Sequence, residues 1–246
     1  MPGPATPAPQ LAAVVSGHGP LGEACARQLA DLAAGGRRVV LVGAGGPGPG
    51  VEHRPVPPGS TATSVVEQLV AERGPVGVLV EVPSRAVPGQ HPPVDAAAEP
   101  LAELAGVLER VRLVTPGMAG LGVGRVVLVA EASSVPGRTW DDASAAVMWG
   151  LVGLARSATR ELAGDGTTVN VVRAGVVDTE ELQALRTTDP AVAEAVDAAV
   201  AATPLRRLAT VDEVAATVAY LASDEAAFVT GVVIPVDGGL SMGLGS

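Results

Sequence analysis

Gly17, Gly19 and Gly22 in the stretch SGHGPLG form a G-x-G-x-x-G between an apolar run and a segment of helical periodicity. Glycines at that spacing let the backbone approach a pyrophosphate and deliver it to a helix N-terminus, where unpaired N–H groups favour an anion. Pro20 takes one such donor away, so a tight strand-to-helix turn that holds no ligand stands beside the binding reading. A second group lies in EASSVPGRTWDD, where Glu131, Asp141 and Asp142 flank Ser133, Ser134 and Trp140. A carboxylate in an apolar cleft can work as general acid or base. The plainer reading of Asp141 and Asp142 is that they cap the helix that follows. His18 and His53 read as solvated loop residues, and no His/Cys/Asp/Glu spacing suits a metal.

What is missing limits the chemistry further. All 16 basic residues are arginine, so any step that needs a lysine ammonium or Schiff base is excluded. Tyr220 is the only tyrosine. The one cysteine, Cys25, has no disulfide partner and falls in a helical pattern, where it reads as a small core residue. A net charge of −10 disfavours nucleic acid and anionic membrane surfaces as partners. No uninterrupted apolar stretch is long enough to span a bilayer, and MPGPATPAPQ lacks the charged and apolar regions of a signal peptide. The expectation is a cytoplasmic globular protein, 48% hydrophobic and 17% charged, able to build one large core.

The elements that must position these residues follow from periodicity. Residues 1–10 are expected to be a flexible Pro-rich tail, and residues 11–246 a single domain. LAAVVS, RRVVLVG, PVGVLVEV, GRVVLVAEAS, TTVNVVRAG and GVVIPVDGG read as strands, continuous in Val and Leu as a sheet covered on both faces requires. Helices are expected at about 23–34, 61–74, 97–118, 144–163, 180–201 and 211–223, and residues 43–60 as loop. Strands alternating with helices predict an α/β, Rossmann-like, doubly wound parallel sheet.

TPLRRLATVDEVAATVAYLASDEAAFVTGVVIPVDGGLSMG, GTTVNVVRAGVVDT and GPVGVLV resemble the short-chain dehydrogenase/reductase family, and the similarity runs over nearly the whole chain. That resemblance implies a catalytic Tyr, a Lys four residues later, a carbonyl-polarising Ser about a dozen residues earlier and a proton-relaying Asn on the preceding helix. By alignment, Ser144 stands at the Tyr position and Met148 at the Lys position, Ser134 or Ser133 keeps the serine, and Ala105 or a neighbour falls in the Asn region. A serine hydroxyl is a far poorer acid than a phenol, and a thioether carries no charge.

The cofactor positions implied by the family are altered too. The glycine loop is one residue short, and EVPS (Glu81 to Ser84) replaces Asn-Asn-Ala-Gly. Val42, Gly43 and Ala44 end the second strand, with no polar side chain before Glu52, and Ala174 replaces a proline while Thr179 is retained. The classical family mechanism is therefore excluded, and the cofactor expectation is none, or NAD or NADP held weakly. Three readings follow. The first is a non-catalytic subunit, in a homo- or hetero-tetramer through helices at about 99–118 and 144–163 and the C-terminal segment, partnered with an active relative such as a ketoreductase. The second is an NAD(P)H-dependent ketoreductase with another proton donor and Ser134 polarising the carbonyl. The third is a non-redox lyase, isomerase or cyclase using Glu131, Asp141 or Asp142.

Overall fold

The computed structural model describes residues 12–17, 19–32, 38–46, 48–83, 98–131 and 142–242. The Pro-rich segment 1–10, His18, residues 132–141 and the last four residues lie outside them. Seven parallel strands form the main sheet: β1 (Ala12–Gly17), β2 (Val39–Val42), β3 (Val51–Arg54), β4 (Val76–Val82), β5 (Gly124–Glu131), β6 (Thr167–Ala174) and β9 (Val233–Val236). Their order is β3-β2-β1-β4-β5-β6-β9. Two short strands, β7 (Val177–Asp178) and β8 (Ala209–Thr210), pair separately beyond the C-terminal end of β6. The order reverses between β1 and β4, and in open α/β sheets the crevice at that switch is where ligands bind.

Helices cover both faces, which explains why β1, β2, β4 and β6 read as unbroken apolar runs rather than alternating ones. One core joins α1 (Gly19–Leu32) and α7 (Val211–Leu221) to the sheet through Leu21, Cys25, Leu29, Val214 and Val218. The other joins α2 (Ala62–Arg73), α3 (Ala98–Leu121) and α4 (Asp142–Leu162) through Val66, Val107, Met118, Leu128 and Leu151. Each such side chain taken from water contributes roughly 1.5–3 kcal/mol before the entropy of ordering is set against it.

The structure departs from the sequence expectations in three places. Residues 43–60 are not all loop, because Val51–Arg54 form the edge strand β3 in register with β2. Four residues among glycines and prolines carry too little apolar periodicity to be recognised alone; pairing with β2 supplies the missing stabilisation. Within β3, His53 is half-buried, and its Nε2 lies 2.8 Å from the carbonyl oxygen of Gly43. It is therefore not a solvated loop residue. Finally, the helix expected over 180–201 is two, α5 (Glu180–Thr188) and α6 (Pro190–Ala202). Asp189 ends the first and caps the second by accepting from the amide of Ala191, and Pro190 has no N–H with which to continue α5.

Cys25 is fully buried on α1, as its helical setting implied, and burial pushes its thiol up to about 12. A thiol reagent is expected to modify it no faster than the protein unfolds, and reaction with the native protein at the rate of a free thiol would contradict this packing. Because its folded value lies above the ordinary 9.0, the stability it contributes is intact below pH 9.0 and declines as pH climbs toward 12. Urea titrations of wild type and Cys25→Ala across that range read this difference.

Candidate functional site

At the switch point, β1 ends at Gly17 and α1 begins at Gly19, separated by one residue in the sequence. Packing requires the first glycine of the G-x-G-x-x-G and backbone conformation the second, while the third has room for a Cβ at ordinary contact. A Cβ on Gly17 would sit 2.8 Å from the Val82 Cβ and 2.9 Å from its carbonyl oxygen, where β1 and β4 run side by side. Gly22 packs on Gly17, with 3.4 Å from its ideal Cβ to the Gly17 carbonyl carbon, and Gly19 has φ +67°. Gly17→Ala is expected to destabilise by about 1–3 kcal/mol through overpacking between two central strands, read as a lower urea midpoint. An unchanged midpoint would mean that the strands have room the geometry denies.

Carboxylates border this turn. Glu181, in the first turn of α5, places Oε2 3.9 Å from where a Gly19 Cβ would be. Glu23 on α1 reaches the β2–β3 connection, its Oε1 accepting from the Gly46 amide at 2.8 Å. The Glu181 carboxylate thus borders the turn to which a pyrophosphate would have to come, and like charge there opposes its approach. Glu52, the first polar side chain after β2 in the sequence, is committed elsewhere. It accepts from Arg73 at 2.7 and 2.8 Å and from Arg54 at 2.8 Å. Desolvation alone would raise its carboxyl, but the hydrogen bonds from Arg54 and Arg73 hold it below the usual carboxylate range.

Beneath the crevice, between the sheet and α3, lies an ion pair that sequence reasoning missed. Arg110 donates through Nε and Nη2 to the two oxygens of Glu81, at 2.8 and 2.7 Å, with both side chains buried. Arg110 Nη1 reaches Thr63 Oγ1 on α2 at 3.4 Å, and Ser16 on β1 also hydrogen-bonds Glu81. Burial pushes the Glu81 carboxyl up, and the facing guanidinium pulls it back. The signal was available: a glutamate inside the apolar run VGVLVEV and an arginine beside Val107, Val111 and Val114 on an apolar stripe each mark a buried charge that needs a partner. The sequence recorded Glu81 as an altered cofactor contact, but its partner lies 29 residues away.

Around the position of catalysis in the family, Met148 is 2% exposed and packs in the apolar cluster with Leu128, Ala130 and Leu151. Ser144 lies one turn earlier on α4, Asp142 opens that helix and Glu131 ends β5. Ser133, Ser134, Asp141 and Trp140 lie outside the described residues. Ala105 is exposed on α3, and Ala174 is fully buried at the end of β6. Thr179 caps α5, its hydroxyl oxygen accepting from the Leu182 amide at 3.1 Å. Among the described residues no cluster of His, Cys, Asp and Glu could hold a metal ion.

A family model described as Enoyl-(Acyl carrier protein) reductase matches residues 60–241, about three quarters of the chain. The chain belongs to the short-chain dehydrogenase/reductase family. The fold agrees: the TT0495 protein from Thermus thermophilus superimposes with a TM-score of 0.78 at 26% identity, over 93% of this chain and 97% of that one. Levodione reductase shares the fold with a TM-score of 0.76, over 95% and 98% of the two chains. Among curated relatives, 3-oxoacyl-[acyl-carrier-protein] reductase MabA of Mycobacterium avium is 37% identical over 143 residues, which is 58% of this short-chain dehydrogenase/reductase and 53% of MabA. Nodulation protein G of Azospirillum brasilense is 29% identical over 181 residues, 72% and 71% of the two chains. The matches to MabA and to the Escherichia coli reductase FabG span only about half the length of those relatives.

Proposed function

We propose that this short-chain dehydrogenase/reductase is a non-catalytic subunit that assembles with an active relative. The observation that carries the reading is Met148: where the family places a lysine, this chain has a core side chain 2% exposed in an apolar cluster, and the sequence contains no lysine to take its place. Glu181 beside the glycine turn supports the same conclusion from the cofactor side. The relatives named 3-oxoacyl-[acyl-carrier-protein] reductase suggest that the active partner reduces 3-oxoacyl thioesters.

Two surfaces suit assembly. Leu101 on α3 and Trp149 on α4 are each about half exposed on the two long helices. Phe228, the only phenylalanine, is fully exposed, and Tyr220 and Val232 add apolar area on the C-terminal side of the chain. Exposed aromatic and aliphatic groups of this kind mark contact surfaces on soluble proteins. No described helix is long and apolar enough to cross a membrane, so these side chains are not part of a helical span.

The test is calorimetric titration of the purified chain with NADH and NADPH, alone and with an active short-chain dehydrogenase/reductase from the same organism, alongside native mass spectrometry. Heat only on mixing the two proteins, and a mass that contains both, is the expected result. Tight nicotinamide binding by the chain alone, or a homotetramer that ignores the second protein, would overturn the proposal; the former would favour a reductase with a different proton donor.

A further inference from the structure

We propose that residues 1–11 cover an apolar groove at the N-terminal end of the sheet, so that the segment ahead of β1 docks on its own domain. The groove, about 440 Å³, lies between the ends of α2 and α3 and the start of β4. Val70, Leu113 and Leu121 wall it, and Gly117 and Gly120 leave α3 bare of side chain along it. It is an open border of the core beneath α2 and α3. Val70 and Leu113 pack against the cluster that contains Val76 and Val114, yet are only partly covered themselves. Among the described residues no charged side chain lines the groove.

The place where the chain enters the sheet selects the occupant. β1 opens at Ala12, which pairs with Val76, and Val76 is part of the groove. The segment that precedes Ala12 is therefore anchored about one strand spacing, roughly 4.8 Å, from the groove. Its 11 residues have a maximum reach of about 36–40 Å, so length does not limit the contact.

Composition suits the same assignment. MPGPATPAPQL has no charged side chain, so none has to be desolvated against an apolar wall. Pro2, Pro4, Pro7 and Pro9 have no N–H to strand there, and they lose less conformational freedom than other residues when ordered. Leu11, next to the anchor, supplies an aliphatic side chain to the open border of the core. Tethering then decides between this segment and that of a second copy. A short linker holds its end at an effective concentration on the order of millimolar, so a contact too weak to join separate molecules suffices within one chain.

The test uses the full chain labelled with 15N and carrying a nitroxide on Ala5→Cys. Cys25 is fully buried, so the reagent meets only the new thiol. The amide signals of Gly74, Gly117 and Gly120 should be lost to the nitroxide, while that of Gly19, at the far end of β1, remains. In Gly120→Glu, which sets a charge on the wall, the signals of Gly74 and Gly117 should return. A Cβ at Gly120 meets nothing within 4 Å, so this variant has room to fold, and the retained Gly19 signal checks that it does. Groove signals that persist beside the nitroxide overturn the proposal, as do signals that stay lost in Gly120→Glu. So does their loss from a 15N chain without nitroxide on mixing with a spin-labelled 14N chain, which would assign the contact to a second copy. The readout involves neither a nicotinamide nor a partner dehydrogenase, so its failure is distinct from failure of the subunit proposal.

Discussion

Arg110→Met is expected to cost about 3–5 kcal/mol of unfolding free energy, whereas the paired change Glu81→Leu with Arg110→Met should restore most of it. The asymmetry has a physical origin. Side-chain exposure is 8% for Arg110 and 1% for Glu81, so removing the guanidinium strands a carboxylate beneath helices with only Ser16 left to bond it. Removing both charges leaves an apolar gap between β4 and α3 that Leu and Met fill with side chains of similar size. Buried ion pairs bring little net stability over such a replacement, because their attraction mainly repays the desolvation of both groups. Urea unfolding of the wild type, both single variants and the double variant forms a thermodynamic cycle. Equal losses from Arg110→Met and from the double variant would show that Glu81 does not depend on its partner, and the pair would lose its structural role.

The second large effect concerns the position where the family carries a lysine. Met148→Lys is expected to destabilise the chain by on the order of 3 kcal/mol or more, since the ammonium would enter the apolar cluster of Leu128, Ala130 and Leu151. Adding Ser144→Tyr should still yield no oxidation of NADH or NADPH with a 3-oxoacyl thioester. Installing the acid and its neighbour does not remove Glu181 from the glycine turn, nor does it lengthen the one-residue connection between β1 and α1. The measurement is the loss of reduced-nicotinamide absorbance, with folding of the variant checked by its urea midpoint. Turnover by the folded double variant would show that the crevice still accepts cofactor and that the deficit is confined to residues 144 and 148.

The sequence by itself determined the architecture, because the runs at 12–17, 76–82, 124–131 and 167–174 are apolar enough to specify buried strands and the intervening segments carry helical periodicity. It also determined that this sequence supplies no lysine to any step, since it contains none under any arrangement of the chain. Short or interrupted elements were less legible. Val51–Arg54 becomes a strand only by pairing with β2, and the break at Asp189 and Pro190 is decided by a capping hydrogen bond that periodicity does not register. Tertiary structure alone decided the roles of the charged residues. Glu81 meets Arg110 across 29 positions, and Glu181 reaches a glycine turn about 160 residues before it. A charge acquires its meaning from its partner and its burial, and both are set by contacts between segments far apart in sequence, which no local pattern encodes.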